Sequence, residues 1–237
     1  MSKVSRKKKK EELPVAAESF QIPTIPEIVP LTPHQKEVFD AFHRNSNLVL
    51  SGAAGSGKTF VALALALQHW AETGGKKKIV IIRSVVPTRD MGFLPGTQEE
   101  KEAAYLGPYV GIVNEIFQSG AAFAGMVKSG HIKFMTTSFI RGITLNDSIL
   151  IVDEFQNCNF HELDSIMTRV GKNSRIIFSG DTKQSDFTSE KERASVFHFL
   201  DILDRLKYFK RVDFTWEDCV RSSIVRDYLM TKEMLAK

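Results

Sequence analysis

Cysteine is scarce in this sequence, and the chain lacks an apolar run long enough to cross a membrane. The two cysteines, Cys158 and Cys219, lie far apart and form no C-x-x-C pair, so neither a disulfide framework nor a zinc site is predicted. A membrane helix needs ~20 apolar residues, and no stretch approaches that length. No apolar segment near the start resembles a secretory signal either. We therefore expect a soluble cytoplasmic protein without a membrane partner.

The net charge is small, but the basic residues are unevenly distributed along the chain. The 237 residues are 43% hydrophobic with a net charge of +4, which is enough apolar content for the core of one large α/β domain. Residues 6–10 are all basic, and several prolines follow before residue 31. We expect a disordered or extended arm over residues 1–30 and one domain over residues 31–237. The basic run suits either nucleic-acid phosphates or a solubilising tail.

A complete G-x-x-x-x-G-K-[ST] pattern, the Walker A motif of phosphate-binding loops, lies early in the domain. It consists of Gly52, Ala53, Ala54, Gly55, Ser56, Gly57, Lys58 and Thr59, and Phe60 follows it. The motif is informative only between a buried strand and a helix. Residues 47–51 form an apolar run of strand length, and residues 60–67 are rich in helix formers. These flanks favour a nucleotide site over an ordinary glycine-rich turn.

The residue types in this loop suit a triphosphate and its magnesium ion. Glycines let the backbone N–H groups point inward, at the N-terminal end of the following helix, with no side chains in the way. Lys58 is then expected to reach the β- and γ-phosphates, and the Thr59 hydroxyl to hold Mg²⁺. We predict ATP and Mg²⁺ as cofactors, with residues 52–60 binding the nucleotide.

A short helix is predicted just before the loop. Thr32 is a suitable N-cap, and Pro33 suits the first helical position. Gln35 follows in the first turn, and its carboxamide offers a donor and an acceptor that together can read the edge of adenine. The alternative for Gln35 is an exposed polar residue of no special role.

Segment 148–157 begins with an uninterrupted apolar run and continues into two carboxylates, Asp153 and Glu154. Such a run predicts a strand buried on both faces, and open parallel sheets bind their ligands at the carboxyl ends of strands. This is the pattern of a Walker B motif. Asp153 is expected to support the Mg²⁺ held by Thr59, and Glu154 to take a proton from the attacking water. A chance acidic pair at a strand end is the alternative.

Strands and helices alternate through the rest of the chain, which predicts a parallel sheet covered on both faces. Strands are expected at 78–83, 132–136, 175–179 and 211–214, and helices at 97–104, 108–117, 160–170, 194–206 and 218–230. The predicted fold is α/β, a three-layer sandwich of the P-loop NTPase (RecA-like) type with a mostly parallel central sheet. The irregular segment 84–96 is too long for a simple linker, so we expect it to be functional.

Two further side chains are predicted to act near the γ-phosphate. Gln184 follows the strand at 175–179, where it would touch the γ-phosphate or the lytic water, with a polar turn as the alternative. Arg221 is expected in the first turn of the last helix. There it can stabilise the transition state as an arginine finger, in its own chain or a neighbouring one, or be a plain surface charge.

In their order and spacing, these motifs resemble those of PhoH-like ATPases. The matching segments are 52–59, 82–86, 92–96, 139–142, 153–157, 180–184 and 218–221. The resemblance covers roughly residues 31–230, and its specific strings are Gly-Phe-Leu-Pro-Gly at 92–96 and Asp-Glu-Phe-Gln-Asn at 153–157. The chain departs from the family at Ser84, where proline is usual, and at Phe155, where alanine is usual.

The resemblance implies an ATPase with the core fold of superfamily one helicases, in which a glutamine upstream of the loop reads adenine, as expected for Gln35. Such proteins are associated with phosphate starvation in bacteria and are common in bacteriophages, so a bacterial or phage-infected cytoplasm is expected. The resemblance also implies a homo-oligomer, a hexameric ring, in which Arg221 or Arg141 can be supplied across an interface. Members fused to a PIN nuclease act on RNA, but no acidic cluster of such a nuclease is evident here.

Two functions stay open at this point. The first is an ATP hydrolase coupled to RNA or single-stranded DNA as a translocase or remodeller. The second is a binding or scaffold protein that ATP switches, without motor activity. A small-molecule kinase is disfavoured, because Glu154 poised on water would waste ATP. Helicase activity proper usually needs a second motor domain, for which this length has no room unless an oligomer supplies the surface.

Overall fold

The computed structural model describes residues 24–53, 55–84, 98–182, 184–187 and 189–235 of the chain. Several predictions therefore lie outside the described residues: the basic run at 6–10, most of the N-terminal arm, Ala54, and the irregular segment beyond Ser84. Residues 24–30, the described end of the arm, form no helix or strand. Within the described ranges, no helix combines the length and the apolar character needed to cross a membrane.

Helices and strands alternate along the described chain. In order they are α1 (Pro33–His43), β1 (Asn47–Gly52), α2 (Lys58–Glu72), β2 (Lys78–Arg83), α3 (Gln98–Ile116), α4 (Ala122–Lys128), β3 (Ile132–Thr136), β4 (Ser148–Asp153), α5 (Phe160–Met167), β5 (Arg175–Gly180), α6 (Glu190–Asp204), β6 (Phe209–Phe214) and α7 (Ser223–Leu235). Single turns of 3-10 helix lie at Thr137–Phe139, Phe155–Asn157 and Trp216–Asp218.

The described strands form one six-stranded sheet in the order β3-β2-β4-β5-β1-β6, and every neighbouring pair is parallel. The α/β class and the parallel sheet expected from the sequence are confirmed. All six carboxyl ends therefore lie at the same edge. The adjacent strands β4, β5 and β1 end in the paired carboxylates, in Gly180 and in the phosphate loop.

Two hydrophobic clusters, one on each face of the sheet, give the fold its three layers. β4 shows the cause, because side chains alternate along a strand: Ile149 and Ile151 belong to one cluster, and Leu150 and Val152 to the other. Residues of α1 to α4 complete the first cluster and residues of α5 and α6 the second. These four side chains are completely buried, which explains the uninterrupted apolar run.

α1 begins as predicted. Thr32 Oγ1 accepts a hydrogen bond from the Gln35 backbone N–H at 3.3 Å, and Pro33 occupies the first helical position, where no intrahelical donor is needed. The bounds of β2 and β3 also agree with the predicted strands at 78–83 and 132–136.

α3 corrects the prediction of separate helices at 97–104 and 108–117. It is a single helix of 19 residues that continues through Pro108. An interior proline costs roughly 3 kcal/mol, but Tyr109 and Val113, which follow it, are completely buried. Burial of side chains of this size contributes roughly 1.5–3 kcal/mol each. Packing against α2 and α4 therefore outweighs the local cost.

α7 begins later than the predicted helix at 218–230, and this moves Arg221 out of a helix. Thr215 and Asp218 close the 3-10 turn before it with reciprocal hydrogen bonds, and Cys219 continues as extended chain. The helix starts only at Ser223. Since Asp218 caps the turn, Arg221 lies in the connection rather than in a first helical turn.

Other boundaries differ by a few residues. α5 ends at Met167 rather than at 170, α6 begins at Glu190 rather than at 194, and β6 begins at Phe209 rather than at 211. α4 is absent from the predictions, because its 7 residues are too few to show a helical period.

Candidate active site

The carboxyl ends of β1, β4 and β5 surround a cleft of about 1050 Å³. Most residues predicted to act on a nucleotide line it, although they come from distant parts of the chain: Gln35, Gly55, Gly57, Lys58, Thr59, Phe60, Asp153, Glu154, Gln184 and Arg221. Arg83, Gln156 and Asp181 line the cleft as well. The topology thus brings these residues together from the ends of several strands.

The phosphate loop bends where its glycines lie. Gly52, Gly55 and Gly57 have φ angles of 137°, 85° and 81°, a region that strains residues with a Cβ. Gly52 meets a second constraint, which only the fold reveals. A Cβ there would lie 2.0 Å from the backbone oxygen of Phe214, because β6 runs directly beside β1. Inside the loop, the buried Ser56 donates from Oγ to the carbonyl oxygen of Ala53 at 2.8 Å.

Lys58, the first residue of α2, folds back over the loop. Its Nζ donates to two loop carbonyl oxygens at 2.9 and 2.8 Å, and only 7% of the residue is exposed. Burial lowers the pKa of this ammonium group, while the charges of Asp181, Glu154 and Asp153 act in the opposite direction. The positive charge therefore lies between the loop and three carboxylates, where a phosphate would bind.

Thr59 and Asp153, the pair predicted to hold Mg²⁺, are in contact. Thr59 Oγ1 donates to Asp153 Oδ1 at 3.0 Å across 94 positions of sequence, and Asp153 is buried. A hydroxyl and a carboxylate are hard oxygen ligands, and Mg²⁺ is usually bound by one or two such groups together with waters and substrate phosphates. The donor set at this point therefore fits Mg²⁺.

Glu154 lies one residue beyond β4 in a left-handed backbone conformation, with φ of 52° and ψ of 44°, which is uncommon for a residue with a side chain. Gln156 Nε2 donates to Glu154 Oε2 at 2.5 Å. Oε1 of the same amide accepts from the backbone N–H of Asp181 at 2.9 Å. Because Gln156 is buried, its amide is a fixed link between the Glu154 carboxylate and the end of β5.

The segments that follow β4 and β5 are joined at two further points. Ser185 Oγ donates to the carbonyl oxygen of Gln156 at 3.1 Å. Asn157 and Asp186 exchange two hydrogen bonds, of 2.6 and 3.0 Å. Gln184 lies within the second segment, is exposed, and lines the cleft. The junction therefore holds the turn that presents Gln184.

Arg83 and Tyr109 are site residues for which the sequence reasoning assigned no role. Arg83 ends β2 directly beside Asp153 in the sheet, and the Tyr109 hydroxyl donates to Asp153 Oδ2 at 2.8 Å. Burial, followed by the Asp153 charge, raises the pKa of Tyr109 far above its usual value, so the hydroxyl stays protonated. Burial lowers the pKa of Arg83, but Tyr109, Asp153 and Glu154 raise it, and the net shift is upward.

The signals for these two residues differ. Arg83 belongs to the matched segment 82–86, so the family pattern contained it without a role. Tyr109 lies on a helix 44 positions before Asp153, in no motif, and only the fold shows where its hydroxyl lies.

Gln35 is buried and lies against the loop. Its Nε2 is 3.7 Å from the position that a Cβ on Gly57 would take. Its Oε1 accepts from the backbone N–H of Leu31 at 2.8 Å. The carbonyl end of the amide is therefore bound by the chain itself, and the nitrogen is the end that faces the loop. The carbonyl oxygen has two lone pairs, so the bond to Leu31 leaves one for a second donor.

The two predicted arginines differ in position. Arg221 lines the cleft of its own chain, and its Cδ is 3.6 Å from the position that a Cβ on Gly55 would take. Arg141 is exposed, follows the edge strand β3, and does not belong to the cleft lining. The first can therefore act within one chain, whereas the second takes no part in lining the cleft of its own chain.

Comparison with known proteins gives a family match over most of the chain. The family model described as PhoH-like protein matches residues 27–232. The PhoH-like protein of Mycobacterium tuberculosis (strain ATCC 25618 / H37Rv) is 31% identical over 201 residues, which cover 84% of this chain and 56% of the relative. Protein PhoH2 of Bacillus subtilis (strain 168) is 37% identical over 143 residues, which cover 59% of this chain and 32% of the relative. The chain thus spans 32% to 56% of the length of these relatives.

Among solved structures, the large terminase from a thermophilic bacteriophage is similar, with a TM-score of 0.50. The match covers 84% of this chain and 50% of that chain at 15% sequence identity. At this identity the likeness concerns the fold alone, and it agrees with the parallel sheet described above.

Proposed function

The chain belongs to the PhoH-like family, and from this premise we propose that it hydrolyses ATP in the cleft with the help of Mg²⁺. The observation that carries the proposal is the 3.0 Å hydrogen bond between Thr59 and Asp153. It brings the phosphate loop and the β4 carboxylate to one point, which is what a metal-bound nucleotide needs. Glu154, the next residue, then lies beside the same point.

The loop is the phosphate-binding part of this proposal. Its backbone N–H groups lie at the N-terminus of α2, where an anion is favoured. Lys58 would exchange the loop carbonyls for the β- and γ-phosphates, which are stronger acceptors because they are charged. Thr59 and Asp153 would hold Mg²⁺, which when bound neutralises charge on the transferred phosphoryl group.

Glu154 is the proposed general base. Its Oε2 is bound by Gln156, so Oε1 is the oxygen that would accept a proton from water. Gln184 faces the same cleft from the β5 side and is proposed to contact the γ-phosphate or the lytic water. A positioned base of this kind contributes typically 10²–10⁴-fold to a rate.

Gln35 and Arg221 complete the proposed site. The Gln35 amide lies against the loop, which supports a contact with the adenine base through its nitrogen. Arg221 lies beside Gly55 of its own chain, which supports stabilisation of the transition state within one chain. Arg141 would take such a role only across an interface of a homo-oligomer, such as the hexameric ring that the family resemblance implies.

The proposal extends to coupling of hydrolysis with RNA or single-stranded DNA. The basic run at 6–10 and the family resemblance support it, since clustered lysines bind phosphate backbones by releasing counterions. In this view ATP turnover in the cleft drives remodelling of, or movement along, the polymer.

Phosphate release from ATP, measured with and without RNA and single-stranded DNA, tests both levels of the proposal. We expect EDTA to abolish phosphate release. We also expect one of the two polymers to stimulate release, and this stimulation to disappear at high salt. A rate indifferent to every polymer would overturn the coupling alone and favour a protein that ATP switches between binding states. No release under any condition would overturn the hydrolase itself.

A further inference from the structure

Tyr109 is a completely buried tyrosine whose ring and hydroxyl have separate surroundings. The ring packs in the core beside Phe134, with 5.9 Å between the ring centroids. A phenylalanine would fill that space equally well. The hydroxyl therefore needs an explanation of its own, and its partner, Asp153, lines the cleft.

The direction of the Tyr109 proton follows from its partner. The hydroxyl is hydrogen-bonded to Asp153 Oδ2, at 2.8 Å. A carboxylate has acceptors only, so the tyrosine hydroxyl is the donor of this bond.

This bond fixes the Asp153 carboxylate. With Oδ2 bound by Tyr109, Oδ1 is the oxygen that faces Thr59, at 3.0 Å. Asp153 is buried, with 4% of the residue exposed, and it lines the cleft. We propose that Tyr109 is a positioning residue for the metal site, which orients Asp153 so that Oδ1 and the Thr59 hydroxyl meet one Mg²⁺. This inference rests on the proposed function, since it names the residue that orients a proposed metal ligand.

The test separates binding of the metal from binding of the nucleotide. Affinity for a fluorescent, non-hydrolysable ATP analogue is first measured in EDTA. The complex of protein and analogue is then prepared in metal-free buffer without EDTA and titrated with Mg²⁺. In Tyr109→Phe, the Mg²⁺ concentration at half-effect should rise about 10–100-fold, the usual range for loss of a partner that orients a metal ligand. Affinity for the analogue in EDTA should stay at the wild-type value.

Tyr105→Phe is the matched control. Tyr105 lies one helical turn earlier on α3, with the Arg83 guanidinium 5.3 Å from its ring centroid. Its substitution also removes one hydroxyl but leaves the bond to Asp153 intact, so its Mg²⁺ titration should match that of the wild type.

An unchanged Mg²⁺ titration in Tyr109→Phe would overturn the inference. A loss of analogue affinity in EDTA as large as the loss of Mg²⁺ affinity would also overturn it, because the effect would then lie on the whole site. A wild-type chain that binds no analogue would overturn the proposed function instead.

If Tyr109→Phe does not fold, ¹³C-labelled tyrosine in the unmodified chain gives a second test. The Tyr109 Cζ resonance should shift when Mg²⁺ joins the nucleotide complex, and no shift would overturn the inference.

Discussion

Gln156 donates its side-chain N–H to the Glu154 carboxylate at 2.5 Å, while the backbone N–H of Asp181 donates to the other end of the same amide at 2.9 Å. Glu154 leaves the strand in a left-handed conformation, so the strand does not by itself determine where its carboxylate points. The buried amide does, and it ties that direction to the end of β5.

Gln156→Leu should therefore impair hydrolysis more than binding. The substitution keeps a similar side-chain volume but removes both hydrogen bonds of the amide. A misplacement of a reacting group by about 1 Å costs on the order of 10²-fold in rate, and we expect a fall in kcat of that order. KM for ATP should change little, since the phosphate loop is untouched. Steady-state kinetics with ATP measure both constants.

Asn157→Ala is the comparison variant for that experiment. It removes the neighbouring pair with Asp186 but makes no contact with the Glu154 carboxylate, so its kcat should fall much less. Equal losses in the two variants would show that the junction as a whole matters and that the amide has no special role at Glu154.

Gly52→Ala should destabilise the protein. The new Cβ would lie 2.0 Å from the backbone oxygen of Phe214, at a φ of 137°. Overpacking costs roughly 1–3 kcal/mol and an unfavourable φ a similar amount, so the free energy of unfolding should fall by roughly 2–6 kcal/mol. Gly111→Ala is the control: it lies inside α3 with nothing within 4 Å of its added Cβ. It should stabilise by roughly 0.5–1 kcal/mol. Urea unfolding curves measure both changes, and a Gly52→Ala protein as stable as the wild type would contradict the close approach of β6.

Much of the fold follows from patterns that act over a few residues. The β4 run is apolar at every position because both faces of that strand are covered, and the Thr32 and Pro33 start of α1 depends on local hydrogen bonding. Parallel strands place their ends at one edge, which is why Thr59 and Asp153 can be expected to meet although 94 positions separate them.

The structural features that were not predicted from the sequence depend on contacts between distant segments. Pro108 indicates a break, but burial of Tyr109 and Val113 carries α3 through it. The same burial brings the Tyr109 hydroxyl to Asp153. Arg221 was expected in a helix that begins at Asp218, but Asp218 instead closes a separate 3-10 turn with Thr215.

A mixing experiment should distinguish the roles of Arg221 and Arg141. Arg221→Ala should lower hydrolysis, by on the order of 10³-fold if it acts as a finger. Mixing it with Lys58→Ala protein should not restore activity, since Arg221 lies at the cleft of its own chain. Arg141 lies outside that cleft, so any loss in Arg141→Ala should be rescued in the same mixture. Rescue of Arg221→Ala would instead mean that a neighbouring chain supplies it.

The most direct test of the central claim compares binding and hydrolysis of ATP in Glu154→Gln. If the ends of β1 and β4 meet around metal-bound ATP, this variant should bind a fluorescent ATP analogue with Mg²⁺ as the wild type does, while phosphate release falls about 10²–10⁴-fold. Phosphate release at the wild-type rate, with analogue binding equally unchanged, would contradict the account.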